Sequence, residues 1–209
     1  MRTLALILVL AISQACLAQR SSVARLETPV GIGTCVVVKL ETKSGEGWVG
    51  LVASAWHVIS DGNGGRLDKV RVKYENGQTC SSGYFVDGGE ECDIAILRVW
   101  IPDSAPALEI SDVSGPRDLA EIYGYPYGEY ASATGPLLRQ VNNWQICNIE
   151  CRPGYSGGAM TVDGKLVGII QGGWFMIRGE DERPTAWPTK CASASQIRKF
   201  IQRSSPTSD

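Results

Sequence analysis

One histidine, His57, occurs in the 209 residues of this chain. Chemistry that needs two imidazoles is therefore excluded, and a histidine can act as general base in one place only. No Cys-x-x-Cys pair is present, so with a single histidine the zinc-site spacings are missing and no metal is expected. No block of lysines and arginines stands out and the formal charge is −2. A nucleic-acid partner or an anionic membrane surface thus has no electrostatic support. Beyond the N-terminal segment no apolar run is long enough to span a bilayer. Gly31-Ile32-Gly33 lacks a third glycine in register, which removes a dinucleotide site. Asp61-Gly62-Asn63-Gly64-Gly65 opens like a calcium loop, but Val72 stands where the bidentate glutamate belongs, so it reads as an exposed loop after His57. No organic cofactor is implied.

The N-terminal residues carry a secretory pattern: Arg2, an apolar core over 4–12, then Cys16-Leu17-Ala18. The expectation is a signal peptide over 1–18 and a mature chain that is secreted or periplasmic, with no membrane span once the signal is removed. Lipidation of Cys16 is the alternative, disfavoured by the Ser13-Gln14-Ala15 approach. Six cysteines then remain, an even count that in an exported chain reads as disulfides. Cys80 with Cys92 and Cys147 with Cys151 are the local pairs, leaving Cys35 with Cys191. The alternative is that Cys35, beside a valine run, is a buried thiol.

Short strand patterns dominate. Residues 69–74 alternate polar and apolar, and 36–40, 48–53, 94–99 and 120–125 are apolar runs of strand length. Val162-Asp163-Gly164-Lys165 signals a hairpin. Residues 101–116, rich in proline, read as a connector between two lobes, about 25–100 and 119–203. No long helical period appears until Ser193-Ala194-Ser195-Gln196, a capping-box pattern, after which Ile197, Phe200 and Ile201 share one helical face. That predicts an all-β chain ending in a helix docked on the second lobe, with 204–209 as a disordered tail.

Three segments hold candidate chemistry: Ser54-Ala55-Trp56-His57-Val58, Cys92-Asp93-Ile94-Ala95-Ile96-Leu97 and Gly154-Tyr155-Ser156-Gly157-Gly158. Singly, each has a bland reading as a structural histidine, a turn acid or a surface turn. Together they supply a base, an acid to orient it and a serine that needs activation. Glycines around Ser156 permit a tight turn, with the N–H groups of Gly154 and Ser156 as an oxyanion hole. Gly-x-Ser-x-Gly also marks α/β-hydrolases, but those place histidine after the serine, and none follows Ser156. Asp87, Glu90 and Glu91 are rival acids; Asp93 is favoured because the apolar residues after it make it the one held by a strand.

The order His57, Asp93, Ser156, the opening Gly31-Ile32-Gly33-Thr34-Cys35 and the hairpin Asp163-Gly164-Lys165-Leu166-Val167-Gly168-Ile169 resemble a trypsin-like (chymotrypsin-fold) serine protease of the short bacterial secreted type. Trp56 departs from that pattern, which usually has a small residue before the histidine. The resemblance implies two antiparallel six-stranded β-barrels and a C-terminal helix. It implies polypeptide substrates and a serine endopeptidase acting through an acyl-enzyme, and it leaves the oligomeric state open. Gln171, Gly172 and Gly173 would pair with substrate backbone, and Glu150 would lie at the floor of the specificity pocket or, equally, be an exposed loop acid. Tyr155 stands where trypsin-like zymogens carry an activating aspartate, so no activation beyond signal removal is expected. The rival reading is a non-catalytic relative that keeps the barrels as a peptide-binding or scaffolding module.

Overall fold

The computed structural model describes residues 19–63, 65–67, 70–112, 118–173, 177–178, 184–186 and 188–204. The expected signal segment and residues 205–209 lie outside them. β1 (Val23–Thr28), β2 (Gly31–Ser44) and β3 (Gly47–Ser54) lead into a single helical turn, α1 (Trp56–Ile59). β4 (Val70–Lys73), β5 (Thr79–Gly89) and β6 (Ile94–Pro102) follow, and the six strands close as β1-β2-β3-β6-β5-β4. A second closed barrel uses β7 (Leu119–Gly124), β8 (Ala131–Val141), β9 (Trp144–Cys147), β10 (Ala159–Val162) and β11 (Lys165–Gly173). After a hairpin of β12 (Ile177–Arg178) and β13 (Pro184–Ala186), β14 (Thr189–Ser193) completes it in the order β10-β11-β14-β9-β8-β7. The chain ends in α2 (Ala194–Ser204). Among the described residues no helix is long and apolar enough to cross a membrane.

Burial on both faces explains why the first half of β2 and most of β3 and β6 are largely apolar. On β2, Cys35 and Val37 face the barrel interior, whereas Val36 and Val38 face outward into a second cluster. On β6, Ala95, Leu97, Val99 and Ile101 point in while Ile94 and Ile96 point out. The outward set meets Tyr123, Ala159, Leu166, Ile169 and Ala192 of the second barrel. Strands buried on both faces read as continuous hydrophobic runs. The same layer of apolar side chains fixes the cleft between the barrels.

α2 departs from expectation in three ways. Ile197 and Phe200 join the cluster between the barrels, and Arg203 grips the Asp87 carboxylate of β5 at 2.7 and 2.8 Å. The helix therefore packs across both lobes, since its apolar stripe fits the groove where they meet. The capping box is not formed: the Ser193 hydroxyl pairs with that of Ser195 at 2.9 Å, and the Ser193 N–H donates to Asn143 at 3.0 Å. Ser204, expected in the tail, is buried as the last residue of the helix and donates its hydroxyl to the Phe200 carbonyl at 2.8 Å.

The six cysteines among the described residues are thiols in this structure. Cys35 and Cys80 share the first barrel's interior, whereas Cys147, Cys151 and Cys191 belong to the second's cluster. None of the expected Cys35–Cys191, Cys80–Cys92 and Cys147–Cys151 links is made; the first two would join residues packed in different clusters, whereas Cys147 and Cys151 share one. Burial pushes the thiols of Cys147 and Cys151 from 9.0 up to about 12. A thiol held neutral in the folded state adds stability that is complete below pH 9 and lost as pH rises toward about 12. The melting temperature of reduced protein is thus expected to fall across that alkaline window. Oxidised protein, if it forms bridges, should yield cross-linked peptides within each group; a peptide joining Cys35 to Cys191 would contradict the arrangement.

Candidate active site

β3 delivers the chain to the cleft, and the turn α1 lifts His57 there. Val58 and Ile59 are buried beneath it, and the Trp56 ring packs edge-on against Phe85 at 5.5 Å. The larger residue before the histidine is therefore used as a side prop. The tight turn between β5 and β6 presents Asp93, whose backbone takes φ +47° and whose N–H donates to Glu90 at 3.0 Å. The Asp93 carboxylate accepts the His57 main-chain N–H at 2.9 Å. It also lies 3.1 and 2.9 Å from His57 Nδ1. A carboxylate can only accept, so Nδ1 carries the proton and Nε2 is left as the acceptor. Of the rival acids, Asp87 is committed to Arg203.

Ser156 enters from the second barrel on a loop between β9 and β10. The Tyr155 N–H donates to Arg152 at 3.1 Å and the Gly157 N–H to Ile170 at 2.7 Å. Gly157 sits at φ +84°, and a Cβ there would lie 2.0 Å from the Thr34 carbonyl oxygen. No side chain fits, and the backbone needs the left-handed region. Gly154 is at φ +100°. The Pro153 carbonyl accepts from the Tyr127 N–H at 3.0 Å. In a trans peptide the N–H points opposite to the C=O, so the Gly154 N–H faces away from Tyr127. Among the described residues neither the Gly154 nor the Ser156 N–H has an acceptor. Such an arrangement can receive an oxyanion. The Tyr155 ring is buried in the second barrel's cluster, which raises its phenol above the ordinary value.

A depression of about 240 Å³ joins these parts, with Val30, Ile32, His57, Pro153, Gly154 and Ser156 among its walls. The Ser156 hydroxyl donates to the Gln171 carbonyl at 3.3 Å. Gly172 and Gly173 lie at the end of β11, opposite Lys190 and Thr189 of β14. Glu150 is exposed, its carboxylate 3.2 Å from the Arg152 guanidinium, and it is not among the walls of the depression. A larger hollow of about 400 Å³ between β1 and β4 holds neither histidine nor cysteine. Among the described residues no cluster of three His, Cys, Asp or Glu could hold a metal.

Two contributions escaped the sequence reading, one from Thr34 and one from the side chain of Gln171, a residue expected only to pair with substrate backbone. Thr34 is fully buried. Its hydroxyl donates to the Gly154 carbonyl at 2.8 Å and accepts the Tyr125 N–H at 2.9 Å. Its N–H donates to Ser156 at 2.8 Å, and its carbonyl accepts from the Ser54 hydroxyl at 2.7 Å. The first barrel thereby clamps the serine loop of the second. The Gln171 side chain is the other, described below. A threonine or glutamine in a strand gives no local signal of such a role.

Two closed six-stranded barrels, with a histidine–aspartate pair and a glycine-framed serine brought to the cleft between them, are the architecture of the chymotrypsin fold. Residues 33–169 match the trypsin-like peptidase domain family, and the chain belongs to it. Among solved structures, the serine endoprotease from Yersinia pestis is similar, with a TM-score of 0.68 and 19% identity over 91% of this chain and 65% of that one. An HtrA-type protease with a tripeptide is similar to the same degree, with a TM-score of 0.68 and 19% identity over 91% of this chain and 62% of that one. The chain thus spans less than two thirds of either protein, and at this identity the likeness speaks for the fold. No curated protein matches the chain significantly.

Proposed function

We propose that the protein is an exported serine endopeptidase. The observation that carries this reading is the chain's only imidazole, held through Nδ1 and its own main-chain N–H by one carboxylate, in a depression shared with Ser156 and Gly154. In the reaction, Ser156 Oγ turns from the Gln171 carbonyl to His57 and attacks the substrate carbonyl carbon. Its proton passes to Nε2. The developing oxyanion takes hydrogen bonds from the N–H groups of Gly154 and Ser156. Nε2 then returns the proton to the leaving amine, and water, deprotonated by the same nitrogen, releases the acyl group. Asp93 holds the tautomer and stabilises the imidazolium while remaining ionised. Incubation with an unfolded polypeptide should generate new internal amino termini, and Ser156→Ala should generate none. Equal fragments from both proteins would refute the assignment.

Export rests on residues 1–18, and N-terminal sequencing of secreted material beginning at Gln19 would support it. The burial of Tyr155 favours an oxyanion loop shaped by packing. Protein starting at Gln19 and protein with a few extra residues before it should therefore turn over substrate equally. Inertness of the longer form until trimmed would reveal a terminus-driven switch. A preference for lysine or arginine before the cut requires the Glu150 carboxylate to exchange Arg152 for the substrate cation. Glu150→Gln should then reduce cleavage after basic residues by about tenfold relative to apolar ones, the scale of one charge-assisted hydrogen bond. Equal cleavage after both classes by the unaltered protein would remove Glu150 from the pocket.

A further inference from the structure

We infer that the Gln171 side chain is a positioning residue that ties the Asp93 segment of the first barrel to β11 of the second and thereby sets the carboxylate that grips His57. This rests on the reading of His57, Asp93 and Ser156 as the reacting centre. Gln171 Nε2 donates to the Cys92 carbonyl at 2.7 Å and to the Asp93 carbonyl at 2.9 Å. Both partners can only accept, so the amide nitrogen must face them. The residue is 8% exposed, and among the described residues its buried Oε1 meets no donor. An orphaned acceptor in a buried place is unfavourable, and it is kept here because turning the amide would set oxygen against two carbonyl oxygens.

The held segment is one that needs holding. Asp93 occupies the left-handed region at φ +47°, a conformation that persists only where the surroundings over-determine it. Its N–H is fixed by Glu90, its carboxylate by two His57 nitrogens and its carbonyl by Gln171. Among the described residues Gln171 provides the hydrogen bonds that reach this turn from the second barrel. The main-chain carbonyl of that same residue accepts the Ser156 hydroxyl. One residue therefore spans the acid's turn and the nucleophile, and sets their registry across the cleft.

Gln171→Met keeps length and bulk but cannot donate, and Gln171→Ala removes the side chain. With histidine labelled by nitrogen-15, the low-field Nδ1–H resonance has one source, since His57 is the only histidine. In both variants that resonance should shift or broaden. Turnover, kcat, should fall by about ten- to a hundredfold, the scale of a small misplacement of a reacting group, with KM within about twofold of the unaltered protein. Thermal unfolding of Gln171→Met should stay cooperative. An unchanged resonance, a loss confined to KM, or failure of both variants to fold would overturn the inference, the last by making Gln171 a scaffold residue. If the unaltered protein cleaves no peptide, the peptidase reading fails, while the resonance still decides what Gln171 does to Asp93.

Discussion

Alanine at His57 should lower kcat/KM by about four to six orders of magnitude, while the fold barely changes. The sequence contains no second imidazole to take over the proton. The structural consequence is small because the His57 side chain is 47% exposed. In addition, the hydrogen bond from the main-chain N–H of position 57 to Asp93, 2.9 Å long, survives the substitution. The carboxylate thus keeps one of its partners and the turn keeps its shape. Progress curves with a peptide substrate, beside thermal unfolding, check both halves. Turnover within tenfold of the unaltered protein would remove His57 from the chemistry.

Thr34→Val should act on stability and turnover together. Valine matches threonine in shape but leaves the part-buried Gly154 carbonyl and the buried Tyr125 N–H, now served at 2.8 and 2.9 Å, without that partner. Each orphaned group costs roughly 1–3 kcal/mol, so a loss of about 2–4 kcal/mol is expected in urea unfolding. The Gly154 carbonyl belongs to the peptide that shares its plane with the Tyr155 N–H, next to the proposed oxyanion donors. Once released, the loop can rotate and kcat falls beyond what the stability loss explains. Thr34→Ser, which restores the hydroxyl, should recover most of the turnover. Turnover in Thr34→Val equal to that of Thr34→Ser would show that the clamp does not shape the loop.

Some of this was legible in the residues. The runs at 36–40, 48–53 and 94–99 lie inside β2, β3 and β6 because both faces of those strands are largely buried, which writes a mostly apolar pattern interrupted only by Lys39 and Arg98. β8, by contrast, reads Ala-Ser-Ala-Thr-Gly-Pro-Leu-Leu-Arg-Gln-Val with about half its positions exposed. Its place is set by pairing with β7 and β9, which no local pattern records. The same holds for α2: Ile197, Phe200 and Ile201 announce an apolar face, but the groove it fills exists only once two barrels have met. At the site, glycines at positive φ announced the turn around Ser156. The clamp at Thr34 and the tie at Gln171 are single hydrogen-bonding residues whose partners are 120 and 78 positions away. The cysteine count, read alone, invited bridges between residues that packing has sorted into separate clusters.

A fluorophosphonate probe followed by peptide mapping tests the central claim most directly, because phosphonylation requires a serine made nucleophilic by its neighbours. The account predicts a single adduct, on Ser156, that is absent in Ser156→Ala and forms far more slowly in His57→Ala. Folded protein that takes up no probe, or takes it up equally without His57, would contradict a catalytic Ser156 and leave the two barrels as a module that binds peptides without cutting them.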